Sequence, residues 1–304
     1  MLELNNIGVL RDDWVLKDIT LKFSSGSIYG VIGRSGVGKT TLLKVISGFI
    51  DASRGDTFFN DMKIEGPSNR LVPGYDEIQL VDQDFGLEPY HSVIENVREK
   101  ILSRKKEEQD ELIEEFLDLV ELTEIKNRKA HLLSGGEKQR LSIARALACE
   151  PRVLLLDEPF VHLDQRLRRK IQHYLSELNQ VQKMITVIVS HDGGELMGFV
   201  DEIIHLENRE VVRIATAKEM YYSPNSHSEA ELMGEVNAVQ IDGEIIMFRP
   251  TEFELAGANL PIAFIRSLDL GLLTFFFFKT ENNEEVMLSG NSDLSTLTAI
   301  KIRI

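Results

Sequence analysis

A glycine-rich segment between an apolar run and an amphipathic helical pattern constrains the fold of this chain more than any other feature. The segment follows the apolar run 28–32 and consists of Gly33, Arg34, Ser35, Gly36, Val37, Gly38, Lys39 and Thr40, with Thr41 next in the chain. It fits the P-loop pattern of Gly, four residues and then Gly-Lys-Thr. Its glycines allow backbone N–H groups to face a phosphate, and the N-terminus of the next helix adds partial positive charge. The segment therefore predicts a nucleotide site in which Lys39 contacts the β- and γ-phosphates and Thr40 binds Mg²⁺.

Two further apolar runs predict buried strands of an α/β core, each with polar residues at its carboxyl end. Residues 153–156 lead into Asp157 and Glu158, and residues 186–189 lead into Ser190 and His191. Ligands of open parallel sheets bind beyond the carboxyl ends of the strands, so we expect these side chains near the P-loop. Two adjacent acids would also suit a solvated strand end, and a lone histidine is often structural. Beside a nucleotide, Asp157 would hold Mg²⁺ and Glu158 would polarise the attacking water.

Composition narrows the class of protein. The chain has 304 residues, a formal net charge of −15 and one cysteine, Cys149. About two domains are expected at this length. The negative charge argues against nucleic acid as a partner, because phosphate contacts need an excess of Lys and Arg. A single cysteine cannot form an internal disulfide, which favours a reducing compartment. We find no signal-peptide pattern and no membrane-spanning stretch, so we expect a cytosolic protein that reaches a membrane only through a partner.

The pattern of the chain changes near residue 217. Before that point, a helical pattern covers about residues 92–122, and its apolar stripe consists of Ile113, Phe116, Leu117 and Val120. Turn-forming residues follow at 221–226. Beyond them, short strand-like runs predict a small β-barrel or sandwich; they are 238–241, 244–248, 261–266, 272–279, 285–288 and 299–304. The apolar run 272–278 must be covered, either within that domain or by a partner.

Two adjacent glycines lie at the start of another predicted helix. Ser134 and Glu137 have the spacing of a capping box, and Gly135 and Gly136 expose backbone donors at the helix N-terminus. The pattern fits a well-capped helix without further function. It also fits a second anion site, and because the chain already has a complete P-loop, that site would face the nucleotide of another subunit.

The order of these motifs resembles the ABC-type ATPases. Residues 133–140 (LSGGEKQR) are similar to the signature of that family. Gln83 resembles its Q-loop glutamine, Leu163-Asp164 its D-loop and His191-Asp192 its switch region. The resemblance covers about residues 1–215. It implies an α/β P-loop NTPase fold with a helical subdomain at about 84–150, and ATP and Mg²⁺ as ligands.

The resemblance also implies a head-to-tail homodimer that clamps two ATP molecules. Each ATP would lie between the P-loop of one subunit and Ser134, Gly135 and Gly136 of the other, with the D-loop residue Asp164 nearby. Gln83 would contact Mg²⁺ and the γ-phosphate, and His191 would contact the γ-phosphate. The expected catalytic set is therefore Glu158, His191 and Gln83, and the expected metal set is Thr40, Gln83 and Asp157.

The C-terminal part resembles the OB-like accessory domain of certain importer ATPases, which serve sugars, sulfate, polyamines or ferric iron. Residues 234–237 (GEVN) and 248–252 (FRPTE) carry this resemblance. It implies an ATP-binding domain at 1–217, a linker at 218–234 and a small all-β OB-like domain at 235–304. The expected protein is the ATP-hydrolysing subunit of an importer at the cytoplasmic face of the cell membrane. Its partners would be two transmembrane permease subunits and an extracytoplasmic solute-binding protein.

Several positions depart from the family pattern. An ungapped count places Leu10 where the family stacks an aromatic residue on adenine, whereas Trp14 lies four residues later. Either residue would meet the base, or Trp14 would instead pack in the core. The D-loop has Val161-His162 instead of a small polar residue and Ala, and residues 207–209 lack the usual glycine.

Two alternatives to an importer subunit are a soluble ABC-type ATPase that acts as a mechanical module and a P-loop GTPase or small-molecule kinase. The acidic charge opposes a ribosome- or DNA-bound module. The guanine-binding Asn-Lys-x-Asp motif is absent, which opposes a GTPase.

Overall fold

A computed structural model describes residues 1–255, 259–271 and 273–302. The chain divides into two compact units, with the boundary between Ala217 and Lys218. The strands of the first unit are β1 (Leu2–Leu10), β2 (Trp14–Phe23), β3 (Ile28–Ile32), β4 (Arg54–Phe59), β5 (Met62–Lys63), β6 (Ile78–Val81), β7 (Val153–Asp157), β8 (Ile185–Ser190), β9 (Glu202–Glu207) and β10 (Glu210–Ala215). Its α-helices are α1 (Lys39–Ile46), α2 (Val93–Arg98), α3 (Lys106–Leu119), α4 (Gly135–Ala148) and α5 (Gln165–Gln182).

The main sheet of the first unit has six strands in the order β10-β9-β3-β8-β7-β6. All neighbours pair in parallel except β10, which pairs antiparallel with β9. Every residue of β3, β7 and β8 is buried. Strands covered on both faces have continuous apolar sequences, which confirms the reason that these three apolar runs predict buried strands.

A second, antiparallel sheet has the order β2-β1-β4-β5. Apolar side chains from β1 and β2 share one core with those from β3, β7, β8 and α1. The N-terminal end of β2 lies against the P-loop, because a Cβ on Gly38 would come within 2.7 Å of the carbonyl oxygen of Val15. The two sheets thus enclose α1 and fix the position at which this helix begins.

The helical pattern at 92–122 is not one helix. The structure has α2, a 3₁₀ turn at Glu99–Ile101 and then α3, which begins at Lys106. The chain changes direction between them, where the side chains of Arg104 and Glu150 form an ion pair. Both helices pack against α4. The stripe of Ile113, Phe116, Leu117 and Val120 is buried as the spacing predicts.

The second unit begins with two helices, α6 (Ala217–Tyr222) and α7 (His227–Leu232). Its strands are β11 (Asn237–Ile241), β12 (Glu244–Phe248), β13 (Leu260–Asp269), β14 (Thr274–Thr280), β15 (Glu285–Gly290) and β16 (Ala299–Ile300). They form a β11-β12 hairpin and a sheet ordered β15-β14-β13-β16. The segment 218–234, expected to be a linker, is largely helical and belongs to this compact unit.

The phenylalanine-rich run of the second unit is covered from within. Phe276 and Phe278 on β14 are buried in an apolar core with residues of β11, β12, β13, β15 and β16, and Phe275 and Phe277 are half-buried. The expected strand at 272–279 begins at Thr274, since Leu272 is outside the described residues. Residues 303 and 304 of the expected strand 299–304 are outside them as well. Among the described helices, none is both long and apolar enough to cross a membrane.

Candidate nucleotide site

Four parallel strands bring the predicted polar residues to one edge of the main sheet. The register aligns Val81 with Leu156, Asp157 with Val189, and Ile32 with Ser190. The segments after β6, β3 and β8 and the end of β7 therefore lie side by side. They carry Gln83, the P-loop, Asp157 with Glu158, and His191, which are the residues expected in this crevice.

The P-loop backbone adopts conformations that require glycine. Gly36 has φ 78° and Gly38 has φ 112°, values that other residues rarely adopt. At Gly33 the requirement is space, because a Cβ would lie 2.3 Å from the carbonyl oxygen of Leu206. Arg34 and Ser35 are exposed on the loop, and Gly38 precedes the first residue of α1. The loop thus has the close-approach geometry of a phosphate cradle.

Lys39 is held inside this loop. Its side chain is buried, and its Nζ donates to the carbonyl oxygens of Gly33 at 2.7 Å and Arg34 at 3.2 Å. Burial lowers the pKa of Lys39, while the nearby carboxylates of Glu158 and Asp157 act in the opposite direction. An ammonium group in this position would exchange loop carbonyls for phosphate oxygens with little movement.

The surroundings of Asp157 show whether the site is suited to bind Mg²⁺. It is 3% exposed, and neither carboxylate oxygen has a hydrogen-bond partner among the described residues. Burial raises its pKa; the Thr40 hydroxyl, close by but outside standard hydrogen-bond geometry, and the Lys39 ammonium both oppose that rise. Buried carboxylate oxygens without partners are costly, and a hard cation would satisfy them. The donor set of Asp157 and Thr40 therefore fits Mg²⁺.

The ion would need oxygens from the nucleotide as well. Among the described residues, no group of three or more His, Cys, Asp or Glu side chains could hold a metal by itself. Mg²⁺ is commonly bound by one or two protein oxygens together with substrate phosphates and waters. The sparse set of protein ligands is thus the arrangement expected of a magnesium–nucleotide site.

Glu158 and His191 form a pair at the mouth of the crevice. Nδ1 of His191 lies 3.3 Å from Oε1 of Glu158, and the His191 side chain is 56% exposed. Glu158 follows β7 with φ 49°, in the left-handed region. From this local turn its carboxylate reaches His191. A carboxylate poised beside an exposed imidazole suits activation of water.

Ser134 and Glu137 form the expected capping box at the start of α4. The Ser134 N–H donates to Oε2 of Glu137 at 2.7 Å, and the Glu137 N–H donates to Oγ of Ser134 at 3.3 Å. Ser134 and Gly135 are exposed, and a Cβ on Gly136 would lie 3.2 Å from the carbonyl oxygen of His162. The signature thus adjoins the D-loop of its own chain and presents free backbone donors to the outside.

Asp164 has a structural role in the chain itself. It is the N-cap of α5, and its Oδ1 accepts hydrogen bonds from the N–H groups of Arg166 and Leu167. These bonds hold the pKa of Asp164 below its ordinary value. Gln83 is exposed after β6, beside Asp82, whose Oδ2 lies 3.8 Å from Nζ of Lys44 on α1.

The two candidates for the adenine contact lie at the same place. Leu10 and Trp14 are partners across the β1–β2 hairpin, and Leu10 is 49% exposed. The Trp14 ring packs over Gly8, where a Cβ would come within 2.8 Å of the ring. The carboxylate of Asp13 accepts a hydrogen bond from the Trp14 N–H and forms an ion pair with the Arg209 side chain. The turn at 207–209, which lacks glycine, therefore supports the hairpin that carries Trp14.

One contact of the site was not expected from the sequence. Nε2 of Gln139 on α4 donates to the main-chain carbonyl oxygen of Glu158 at 2.8 Å. The sequence does indicate that Gln139 is buried, because it shares the apolar face of α4 with Ile143 and Leu147 at helical spacing. A polar side chain on such a face needs a partner, but the sequence does not identify it.

Comparison with known proteins agrees with this geometry. A model of the ABC transporter family matches residues 16–161. A structure of the ATP-binding cassette MJ0796, described as a dimer in a post-hydrolysis state bound to ADP and Pi, is 30% identical with a TM-score of 0.64, and the match covers 71% of this chain and 99% of that one. A second MJ0796 structure, described as a dimeric bacterial ABC transporter cassette, is 29% identical with a TM-score of 0.65, over 71% of this chain and 99% of that one. CbiO1 from Clostridium perfringens, described as part of the ABC transporter complex cbiONQ, is 26% identical with a TM-score of 0.61, over 72% of this chain and 90% of that one.

Proposed function

Because the chain belongs to the ABC transporter family of ATP-binding proteins, we propose that it is the ATP-hydrolysing subunit of an ABC importer. The observation that carries the proposal is the cluster at the sheet edge. Lys39 and the buried Asp157, whose carboxylate has no hydrogen-bond partner among the described residues, lie beside half-buried Glu158 and exposed His191. This set supplies a phosphate contact, a cation ligand, a base and a γ-phosphate contact.

Each residue has one task in the proposed reaction. Lys39 leaves the carbonyls of Gly33 and Arg34 and neutralises charge on the β- and γ-phosphates. Glu158 accepts a hydrogen bond from the attacking water and aligns it with the γ-phosphate, while His191 contacts the γ-phosphate. Mg²⁺, held by Asp157, Thr40 and the Q-loop residue Gln83, would offset the negative charge of the phosphates.

The site is complete only in a dimer under this proposal. Ser134, Gly135 and Gly136 of one subunit would close over the nucleotide on the P-loop of the other, with Asp164 at the junction. The exposure of Ser134 and Gly135 supports this arrangement. ATP favours the closed pair because its γ-phosphate contacts both subunits, and hydrolysis removes that bridge. Opening and closing would then drive two transmembrane permease subunits.

Features of the C-terminal unit favour the proposal that the protein belongs to an importer. Its 248–252 segment resembles that of importer ATPases, and its strands enclose one apolar core, as an accessory β-domain requires. We propose that the chain works at the cytoplasmic face of the cell membrane and that a solute-binding protein completes the system.

Proteins that co-purify from detergent extracts test this proposal. Integral membrane partners would support import, whereas ribosomal components would support a mechanical module.

Four substitutions test the ATPase and the dimer. Lys39→Ala should lose nucleotide binding, whereas Glu158→Gln should bind ATP, hydrolyse it at least about 100-fold more slowly and accumulate as a dimer.

Ser134→Asp keeps a good helix cap but places negative charge against the partner's phosphate, so its ATP-dependent dimer should be lost while its melting temperature is kept. Ser134→Ala is the converse control, because it weakens the cap without adding charge. A Glu158→Gln protein that stays monomeric with ATP in size-exclusion chromatography would refute the dimer.

A further inference from the structure

The Gln139 side chain joins the helix that starts at the signature to the residue proposed as the base. Gln139 lies on α4 and is 6% exposed. Its Nε2 donates to the main-chain carbonyl oxygen of Glu158 at 2.8 Å, and 19 residues separate the two in the chain. The contact therefore connects two segments that chain connectivity does not hold together.

The Glu158 backbone needs such support. Its φ of 49° is disfavoured for a residue with a Cβ, so the surroundings must hold the turn. The Glu158 N–H donates to the carbonyl oxygen of Val189 on β8 at 3.0 Å, and Gln139 supplies the donor for its carbonyl. Two elements thus fix the peptide groups on either side of the carboxylate that lies beside His191.

Hydrogen bonds fix the first turns of α4, which carry both the signature residues and Gln139. The capping box fixes Ser134 and Glu137 to each other. One residue after Gln139, Nη1 of Arg140 donates to the carbonyl oxygens of Val120 at 2.9 Å and Glu121 at 3.0 Å. A displacement of the signature therefore moves Gln139, and with it the hydrogen bond to Glu158.

We propose that Gln139 is a positioning residue that couples the two half-sites carried by one chain. This inference rests on the proposed function, in which Ser134 to Gly136 serve the nucleotide of the partner and Glu158 serves the chain's own. Gln139 holds the Glu158 backbone in its left-handed turn within the single chain. Engagement of residues 134–136 by the partner's nucleotide would therefore reach the Glu158 carboxylate through this hydrogen bond.

The test compares two buried glutamines in the full chain. Gln139→Met keeps an unbranched side chain of similar length but loses the donor. Gln109→Met is the matched control, because Gln109 is 9% exposed on α3 and its Nε2 donates to the carbonyl oxygen of Arg104 at 2.9 Å. We expect Gln139→Met to lower kcat roughly 10- to 100-fold, with Kd for MgADP within about twofold of the parent. Gln109→Met should leave kcat within about twofold.

A double substitution shows whether Gln139 acts through Glu158. In the Glu158→Gln background, adding Gln139→Met should cause no further loss of the residual rate, since residues that act as one unit are not additive. If Gln139→Met is insoluble, Gln139→Leu also removes the donor without adding charge, and the same loss of kcat with retained affinity for MgADP is expected.

Three outcomes would overturn the inference. They are an unchanged kcat in folded Gln139→Met, an equal loss in Gln109→Met, and full additivity with Glu158→Gln. Each of these results leaves the proposed function intact as long as Glu158→Gln is inactive. Full activity in Glu158→Gln would instead refute the proposed function itself.

Discussion

At the scale of single residues, burial in the nucleotide site opposes the charges that the chemistry requires. Burial raises the pKa of Asp157 and lowers the pKa of Lys39. The folded chain therefore binds the Asp157 proton more tightly than the unfolded chain does. This cost to stability is absent below the unfolded pKa and is fully present above the folded pKa. A cation that binds the carboxylate would remove it, so the site is stabilised by its own ligand.

Asp157→Asn should consequently make the nucleotide-free protein more stable and less active. We expect the free energy of unfolding at pH 7 to rise by about 1 kcal/mol, because a buried charge without partners is replaced by a neutral amide. The gain should shrink as the pH falls through the folded pKa of Asp157. Urea titrations at several pH values measure the effect, and Mg²⁺-dependent hydrolysis should be lost. A decrease in stability at pH 7 would contradict the expectation.

Asp164→Ala is a control of opposite sign. Hydrogen bonds from N–H groups lower the pKa of Asp164, so its contribution is present above the unfolded pKa and is lost as the pH falls through the folded one. This substitution should destabilise the protein at pH 7. The difference from the parent should narrow in acid.

Trp14 offers a direct measurement of the adenine contact, because the chain has one tryptophan. If its ring meets the base, MgATP should quench or shift the intrinsic tryptophan emission, with a midpoint equal to the Kd from equilibrium dialysis. Leu10→Ala should alter the emission of the free protein more than the response to nucleotide. Saturation by dialysis without a change in emission would place the base away from Trp14.

At the scale of elements, the second unit is organised around a buried cation. Arg249 is 1% exposed, and its guanidinium donates to the carbonyl oxygens of Tyr221, Ala230, Gly234 and Glu235 at 2.9–3.0 Å. It also stacks on the Tyr221 ring, 4.1 Å from the ring centroid. A planar fork of donors suits this set of carbonyls, and a lysine does not. Arg249 thus fastens the helices at the start of the unit to its strands.

Arg249→Lys should loosen that helical segment. We expect a loss of about 3 kcal/mol of stability in the second unit and faster amide hydrogen exchange at 218–235. Arg266→Lys is the matched control, since Arg266 stacks on Phe277 at 4.0 Å but is exposed. Mass spectrometry of exchange locates the effect. Equal exchange at 218–235 in both variants would refute an anchoring role for Arg249.

At the scale of the whole molecule, the nucleotide site lies entirely within the first unit. The residues of the sheet edge, the P-loop and the signature all precede Ala217. The MJ0796 cassette matches 71% of this chain over 99% of its own length. A complete cassette thus corresponds in extent to about the first unit, and the second unit is additional.

Residues 1–217 alone should therefore bind MgATP with a Kd within about threefold of the full chain, because they contain every residue of the proposed site. We propose that the second unit supports the dimer, and we therefore expect ATP-dependent dimerisation of residues 1–217 to be weaker. Isothermal titration calorimetry and sedimentation measure the two properties. Undiminished dimerisation of the shortened chain would reject that role for the second unit.

The sequence alone determined the parts of this protein that depend on local order. The P-loop, the capping box of Ser134 and Glu137 and the buried strands are recognisable because backbone conformation and burial impose residue types at fixed short spacings. Strand ends carry Asp157, Glu158 and His191 to the same edge because parallel strands share their direction.

Contacts between segments that are distant in the chain set the remaining features of the fold. They broke the 92–122 pattern into two helices because each packs separately against α4. Much of the segment 218–234, which the resemblance implies is a linker, is helical, and Arg249 donates to carbonyl oxygens of both of its helices. Tertiary packing also joined Gln139 to Glu158. A buried polar group requires a partner, but the sequence does not state which one, since that choice is made when the elements pack.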